Sequence, residues 1–299
     1  MAFVEAHQDT VDLTVSGEAG RLLNPAQRSF FDENGYLAID RITSEADVAL
    51  IRSELQRLFE TKAGFDEGAL FDFAGADNDD DSAEFDPKAP QMLGPERFAP
   101  KLRQSLFYRN ARAIARQILG PNASLKQSHS IMKPAKSGAA TPWHQDEAFG
   151  DPALDYHEIS FWLALQPTDR HNSCMRFIPG SHEWPIVPHV SPNGDNRVHA
   201  LDCSASVNED DAVDGILPAG GCTMHTTKTI HGAGPNHSDD ARWAYILVFG
   251  TDPTPHQGKR EYPWREEKDT GRLKRRRAWL SRGGIFVVLW RKLKQNIFS

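Results

Sequence analysis

From about residue 123 onwards, the sequence is a succession of short, β-prone apolar runs separated by proline and glycine. Runs of this length and composition are typical of strands that end in tight turns, and they are too short for a helical bundle. Many such strands in series favour a β-sandwich or barrel. The runs that carry this prediction are 124–132, 158–165, 176–178, 221–224 and 243–250.

Helices are predicted mainly before this β-rich half. Asn24-Pro25 is a capped start, and residues 26–34 are predicted to form a short helix that Gly35 stops. Ser44 caps a second helix, in which apolar residues from Val48 to Phe59 recur at helical spacing. A third helix is predicted over residues 102–119. We therefore expect a mainly β fold with flanking helices, comprising a helical lead-in over 25–120 and a β core over 123–250.

Composition excludes several classes of protein. The chain has 299 residues, of which 39% are hydrophobic and 25% charged, which is typical of a globular protein with a sizeable core. No apolar run approaches the roughly 18 residues that cross a bilayer, so no membrane span is predicted. Three scattered cysteines are too few for a disulfide framework or a zinc knuckle. The first seven residues lack the basic and apolar regions of a secretory signal, so we expect a cytoplasmic protein.

Charge is distributed unevenly along the chain. Residues 256–299 hold 13 Lys/Arg and 4 Asp/Glu, whereas the remainder holds 21 and 37. We interpret this as a main domain over 1–255 followed by a peripheral basic tail over 256–299. The run Arg275-Arg276-Arg277 is too short to indicate a nucleic-acid partner. Residues 285–290 are apolar within basic flanks, a pattern that fits a terminal strand or an aggregation-prone segment.

Two long segments rich in Pro, Gly and Asp, 61–100 and 185–215, are predicted to form lids over one end of the β core. Loops of such length are uncommon inside a compact domain unless they have a function. We therefore expect them to influence which ligand can enter this end of the core.

Histidine and aspartate residues are the candidate metal ligands in this sequence. The pattern His-x-Asp places two ligands on one face of a strand, because side chains alternate with period two. It occurs three times, at His7, His144 and His237, so the triplet alone decides nothing. His7 lies in an N-terminal segment expected to be loosely ordered, and His237 lies in a polar turn. Only His144-Gln145-Asp146 directly follows a compact run, Thr141-Pro142-Trp143, and leads into the β-prone segments.

A third ligand and an anion-binding residue follow later in the chain. His231 comes after a β-prone run and precedes Gly232-Ala233-Gly234, where the backbone can approach a bound group closely. Arg242 begins the apolar run 243–249, and an arginine there is costly unless an anion meets it. Two imidazoles and one carboxylate on one face of a metal are the facial triad of non-haem Fe(II) oxygenases.

The order and spacing of these motifs over residues 127–250 resemble the phytanoyl-CoA dioxygenase family of Fe(II)/2-oxoglutarate-dependent oxygenases. The matching stretches include Lys133-Pro134, Pro142-Trp143-His144-Gln145-Asp146, the run 161–165, the run 172–182, and the run 231–236 followed by Arg242. The resemblance implies a double-stranded β-helix, the jelly-roll or cupin-like core, with flanking helices.

The resemblance also implies roles for individual residues. His144, Asp146 and His231 would bind Fe(II), and Arg242 would pair with the remote carboxylate of 2-oxoglutarate. Relatives often have a hydroxyl two residues after the distal histidine, where this chain has Ala233, so Thr223 or Thr229 would have to replace it. The other residues expected to bind the co-substrate are Trp162, Gln127, His129 and Thr229.

The implied activity is oxidation of an unactivated C–H bond with Fe(II), 2-oxoglutarate and O2, releasing succinate and CO2. Because Asp146 fills the position that related halogenating enzymes leave to halide, hydroxylation or desaturation is preferred. We expect a small-molecule metabolite as substrate, in natural-product metabolism. A fatty acyl-CoA 2-hydroxylase and a non-catalytic jelly-roll that senses a carboxylic acid stay open as alternatives. The only protein partner considered is a second copy of the chain, as a homodimer.

Overall fold

The computed structural model describes residues 22–75, 87–266 and 268–288. In these residues the helices are α1 (Pro25–Asn34), α2 (Glu45–Glu60), α3 (Leu106–Leu119), α4 (Pro263–Glu266) and α5 (Gly271–Trp279). The strands, in chain order, are β1 (Tyr36–Ile39), β2 (Leu70–Asp72), β3 (Pro90–Leu93), β4 (Ser124–Lys133), β5 (Thr141–His144), β6 (Leu154–Asp155), β7 (Glu158–Ala164), β8 (Met175–Phe177), β9 (Val213–Gly215), β10 (Cys222–Thr226), β11 (His231–Ala233), β12 (Arg242–Gly250) and β13 (Thr254–Pro255).

The helical lead-in starts and ends where its capping residues predict. The Asn24 side chain accepts from Gln27 N and the Gln27 side chain from Asn24 N, a capping box. Gly35, with φ 74°, ends α1 in the left-handed conformation. Ser44 accepts from Asp47 N at the start of α2. The first two predicted helices are therefore confirmed. The third, predicted over 102–119, begins only at Leu106, after the 3-10 turn Pro100–Gln104.

Two antiparallel sheets form the core. The larger has the order β1-β10-β7-β12-β4-β3-β2, and the smaller has the order β5-β11-β8-β9. Strands distant in sequence are neighbours in both, as in a jelly-roll and not in a simple meander. The predicted mainly β fold with a double-stranded β-helix core is confirmed.

The two faces of the larger sheet have different roles. Phe161 and Leu163 of β7 point outwards and join a cluster with Ile51 of α2 and Phe107 of α3. Trp162 of the same strand points inwards and belongs to the cluster between the two sheets. Because side chains alternate along each strand, the helices cover one face while the other stays available for a site.

The predicted lids are only partly loops. Within the segment 61–100, β2 and β3 extend the edge of the larger sheet, and β3 pairs with β4. Residues 76–86 of the same segment lie outside the described residues. The segment 185–215 consists largely of short turns, with β9 at its end. Part of the first predicted lid is therefore a structural edge of the core.

The basic C-terminal segment was expected to be peripheral, and that expectation is wrong for its described residues. Trp264 Nε1 donates to Ala148 O at 2.9 Å, and Lys268 Nζ donates to Val198 O at 2.7 Å. Tyr262 and Trp264 form a small buried cluster with Ala148 and Leu201. Trp and Lys side chains can bury their apolar atoms while the polar group at the end stays hydrogen-bonded, which explains why a basic segment packs here. The boundary at residue 255 stays a prediction.

The apolar run near the C-terminus does not form a terminal strand in its described part. Residues 285–288 are helical, and residues 289–290 lie outside the described residues. Among the helices that the structure describes, none combines the length and the apolar character that spanning a membrane would require.

Candidate metal centre and co-substrate pocket

His144 and His231 meet across two neighbouring strands. His144 is the last residue of β5 and His231 the first of β11, and the two are paired directly in the antiparallel register. Their ring centroids lie 4.2 Å apart, and both side chains are buried. The pairing explains how two histidines separated by 87 positions in the chain can serve one site.

Asp146 completes the group from the turn that follows β5. It begins the 3-10 turn Asp146–Phe149, and its Oδ1 lies 3.6 Å from the Nε2 of both His144 and His231. One ligand atom from each of the three residues lies within 4.8 Å of the others. The arrangement brings together the three predicted metal ligands.

The backbone sets the tautomer of both histidines. His144 Nδ1 lies 2.8 Å from Pro142 O, and His231 Nδ1 lies 2.9 Å from Thr229 O. A carbonyl oxygen can only accept, so each Nδ1 must carry the proton and donate it. In the neutral form of each ring, the lone pair is then on Nε2 and faces Asp146, which is the form a metal ion requires.

The protonation states also suit a metal. Burial, with His225 and His144 nearby, holds the pKa of His231 well below its ordinary value, so this imidazole is neutral. Burial by itself raises the pKa of Asp146, but His231, His144 and His225 outweigh it and hold the pKa well below its usual range. Neutral imidazoles and an ionised carboxylate are the ligand forms that bind a divalent cation.

Two further residues lie beside the outer oxygen of Asp146, and neither was predicted from the sequence. Ser160 Oγ donates to Asp146 Oδ2 at 2.9 Å, whereas His225 Nε2 lies 3.5 Å from the same oxygen without forming a hydrogen bond to it. Ser160 and His225 are cross-strand partners on β7 and β10. Such contacts orient a ligand carboxylate, and here they leave Oδ1 facing the histidines. In the sequence, only the closeness of His225 to His231 pointed to His225, and the pairing of β7 with β10 was needed to place it beside Asp146.

Arg242 lies on the inner face with unused hydrogen-bonding capacity. It is 2% exposed; Nη2 donates to Ser173 Oγ at 3.3 Å, while Nε and Nη1 have no hydrogen-bond partner among the described residues. Its guanidinium carbon lies 5.2 Å from the centre of the Trp162 ring. Burial lowers its pKa to about 10, so the group stays charged at neutral pH. A buried cation with free donors fits a carboxylate ligand.

The remaining predicted co-substrate residues divide into two groups. Trp162, Gln127 and His129 line the cavity that also contains the triad and Arg242. Thr229 and Thr223 are buried but are not among the residues that line it. The Thr229 hydroxyl instead donates to Gly35 O at 2.6 Å, because the turn after β10 packs against the end of α1.

The cavity between the sheets has a volume of about 510 Å³, within the range of sites for small molecules. Beyond the triad its walls include Glu158, Glu147, Tyr156, His199 and Arg272. Glu147 is 3% exposed and its carboxylate pairs with Arg260, 3.0 Å away. Arg272 belongs to α5, so the C-terminal segment contributes a residue to the cavity wall. None of these five residues was predicted from the sequence.

The residues present fit Fe(II) and 2-oxoglutarate. Two nitrogen donors and one carboxylate leave open coordination positions for a chelating co-substrate and dioxygen. The unpartnered Arg242 donors supply a counter-charge for a second carboxylate in the same cavity. His144, Asp146 and His231 are the candidate iron ligands.

Comparisons with known proteins agree with this geometry. The family model described as phytanoyl-CoA dioxygenase matches residues 31–244. The chain is 29% identical over 235 residues to a probable alpha-ketoglutarate-dependent hypophosphite dioxygenase of Stutzerimonas stutzeri, covering 74% of this chain and 76% of that protein. Alpha-ketoglutarate is another name for 2-oxoglutarate.

Two solved structures share the fold. EvdO2 of Micromonospora carbonacea var. aurantiaca, complexed with 2-oxoglutarate, has a TM-score of 0.70 and 31% identity, covering 85% of this chain and all of that one. The alpha-ketoglutarate-dependent carbocyclase SnoK from nogalamycin biosynthesis has a TM-score of 0.61 and 23% identity, covering 79% and 87%. The chain belongs to the phytanoyl-CoA dioxygenase family and is an Fe(II)- and 2-oxoglutarate-dependent dioxygenase.

Proposed function

We propose that the protein oxidises a C–H bond of a small-molecule metabolite, by hydroxylation or desaturation, in natural-product metabolism. The observation that carries this proposal is that the three candidate metal ligands, His144, Asp146 and His231, line the same cavity as Arg242. The cavity volume suits a compact ligand. Its walls are rich in polar side chains, which suits a functionalised metabolite better than a hydrocarbon chain.

The chain's own residues have separate tasks in this reaction. Bound Fe(II) supplies the activation of dioxygen, coupled to the oxidative decarboxylation of 2-oxoglutarate. His144, Asp146 and His231 hold the metal, and Ser160 keeps the Asp146 carboxylate in place through Oδ2. Arg242 binds the remote carboxylate of the co-substrate, and the face of the Trp162 ring contacts its guanidinium. The outer cavity walls orient the substrate, which decides the C–H bond that lies nearest to the metal.

The test is succinate formation by the purified protein supplied with Fe(II), ascorbate and 2-oxoglutarate. We expect slow turnover without substrate and faster turnover when a candidate metabolite is coupled to it. A screen of candidate metabolites by 2-oxoglutarate consumption, followed by mass analysis for a gain of one oxygen or a loss of two hydrogens, identifies the reaction. A protein that binds iron and 2-oxoglutarate but forms no succinate with any candidate would instead be a sensor.

A fatty acyl-CoA is the second candidate substrate. The observation that favours it is Arg272, which places a basic side chain in the cavity wall and could meet an anionic group. In the same screen, stimulation by a medium-chain acyl-CoA without stimulation by polar metabolites would favour this alternative.

A further inference from the structure

Glu158 lies in the cavity wall without a bonding partner. It is the first residue of β7 and is half-buried. Among the described residues, no hydrogen bond or ion pair involves its carboxylate. Lys126, whose charge acts to lower the pKa of Glu158, pairs with Asp252 at 2.8 Å. A half-buried carboxylate without a partner is unfavourable unless a ligand supplies one.

Its position along β7 relates it to the metal centre. Glu158, Ser160 and Trp162 share the inner face of the strand, and all three line the cavity. Successive residues on one face are about 7 Å apart along a strand. Glu158 therefore lies one such step beyond Ser160, which binds the Asp146 ligand. This is close enough to touch a substrate whose reacting carbon faces the metal.

The neighbouring strand leaves room for the Glu158 side chain. Gly250 of β12 is the cross-strand partner of Glu158. A Cβ at position 250 would lie 2.5 Å from Glu158 Cγ, so a larger residue would displace the carboxylate. Burial, reinforced by the charge of Asp146, raises the pKa of Glu158 to about 7. The environment disfavours an isolated charge and favours a carboxylate that accepts hydrogen bonds from a ligand.

We propose that Glu158 is a specificity-determining residue that accepts a hydrogen bond from a hydroxyl or amino group of the substrate, close to the carbon that is oxidised. The proposal rests on the proposed function and narrows its substrate class. A plain hydrocarbon chain would leave the carboxylate buried and unpaired, so the site discriminates against a simple fatty acyl chain.

The experiment uses the full-length protein loaded with Co(II), which replaces Fe(II) without turnover, and saturated with 2-oxoglutarate. Three probes share one six-membered ring: cyclohexylamine and cyclohexanol donate hydrogen bonds, whereas cyclohexanone only accepts them. Octanoyl-CoA is the fourth probe. Binding near the metal is measured as the paramagnetic relaxation of probe protons, with the Zn(II)-loaded protein as the diamagnetic reference.

We expect cyclohexylamine and cyclohexanol to bind more tightly than cyclohexanone and the octanoyl chain. Glu158→Leu should weaken both donors about tenfold and strengthen cyclohexanone relative to them. Glu158→Gln should weaken cyclohexylamine more than cyclohexanol, because the amide keeps an acceptor but loses the charge. The matched control is Glu183→Gln, an exposed glutamate outside the cavity, which should change nothing.

Equal binding of cyclohexanol and cyclohexanone, donor binding that does not depend on Glu158, or no donor binding at all would overturn the proposal. Failure of the proposed function is distinguishable, because it would appear as loss of Co(II) or 2-oxoglutarate binding, or as absence of succinate with the Fe(II) enzyme. Those measurements do not involve the probes.

Discussion

The metal end of the cavity is built within the family-matched stretch alone, whereas the outer end also needs residues that follow it. The metal end comes from β5, β11 and β12, and its residues lie within the stretch 31–244 that matches the family. The outer end is completed by Arg260, Trp264 and Arg272, which follow that stretch. Under the proposed function, the matched stretch supplies the residues for iron and 2-oxoglutarate, while the substrate end combines Glu158 of that stretch with Arg272 beyond it.

Removing a ligand at the metal end should have the largest effect. Asp146→Ala deletes the carboxylate that faces both histidines, so we expect iron affinity to fall and turnover to drop about a thousandfold, equal to roughly 4 kcal/mol of transition-state stabilisation. Iron binding by titration and succinate formation by chromatography measure the two effects.

The chain offers a matched control for this variant. Asp239 occupies the same position in another His-x-Asp motif, but it is exposed and pairs with Lys136. Asp239→Ala should leave both measurements unchanged. An Asp146→Ala protein with full iron affinity would contradict the ligand assignment.

The second largest effect is expected at Arg242. Arg242→Ala removes the buried cation from the co-substrate end, so the apparent affinity for 2-oxoglutarate should fall roughly a hundredfold through the loss of charge-assisted hydrogen bonds. Iron binding should not change, because Arg242 is not a ligand. Arg242→Lys should recover part of the affinity, since it restores the charge without the planar fork. Equal co-substrate affinity in all three proteins would mean that another residue holds the acid.

The same division explains how much the sequence could predict. His144 and Asp146 are close in the sequence, at the end of β5 and in the turn after it, and His231 and Arg242 follow in order, so the ordered set predicted all four. The partners of Asp146 were invisible, because Ser160 and His225 approach it only after β7 and β10 pair. The succession of short strands predicted a β-sandwich or barrel, and the resemblance to the family implied the jelly-roll. The strands at 70–72 and 90–93 were hidden in a segment with loop composition.

The C-terminal segment was misjudged for a related reason. Its charge predicts solvent exposure, but an arginine can be buried when a carboxylate and several carbonyl groups surround its guanidinium. Arg260 contacts Glu147 and also donates to Pro152 O and Leu154 O. These partners lie more than a hundred residues away, and no local pattern records them.

Removing these Arg260 contacts should lower the free energy of unfolding more than it lowers turnover. Arg260→Ala leaves the buried Glu147 carboxylate without its cation, and we expect a loss of about 3 kcal/mol in the free energy of unfolding. The double variant Arg260→Ala/Glu147→Gln should recover part of that loss, because it removes the unpaired charge. Denaturant unfolding of the four proteins of the cycle measures the coupling. Additive losses would show that Arg260 does not act through Glu147.

The smallest effect tests a residue that the sequence placed at the co-substrate. In the structure Thr229 supports the turn before His231 by donating its hydroxyl to Gly35 O. Thr229→Val keeps the shape but removes one of the two hydrogen bonds that Gly35 O accepts, the other coming from Thr226 N. We therefore expect a loss of about 1 kcal/mol of stability with unchanged affinity for 2-oxoglutarate. Thr229→Ser retains the hydroxyl and should behave like the parent protein. A marked fall in co-substrate affinity for Thr229→Val, with stability unchanged, would show that Thr229 binds 2-oxoglutarate and does not act by stabilising the turn before His231.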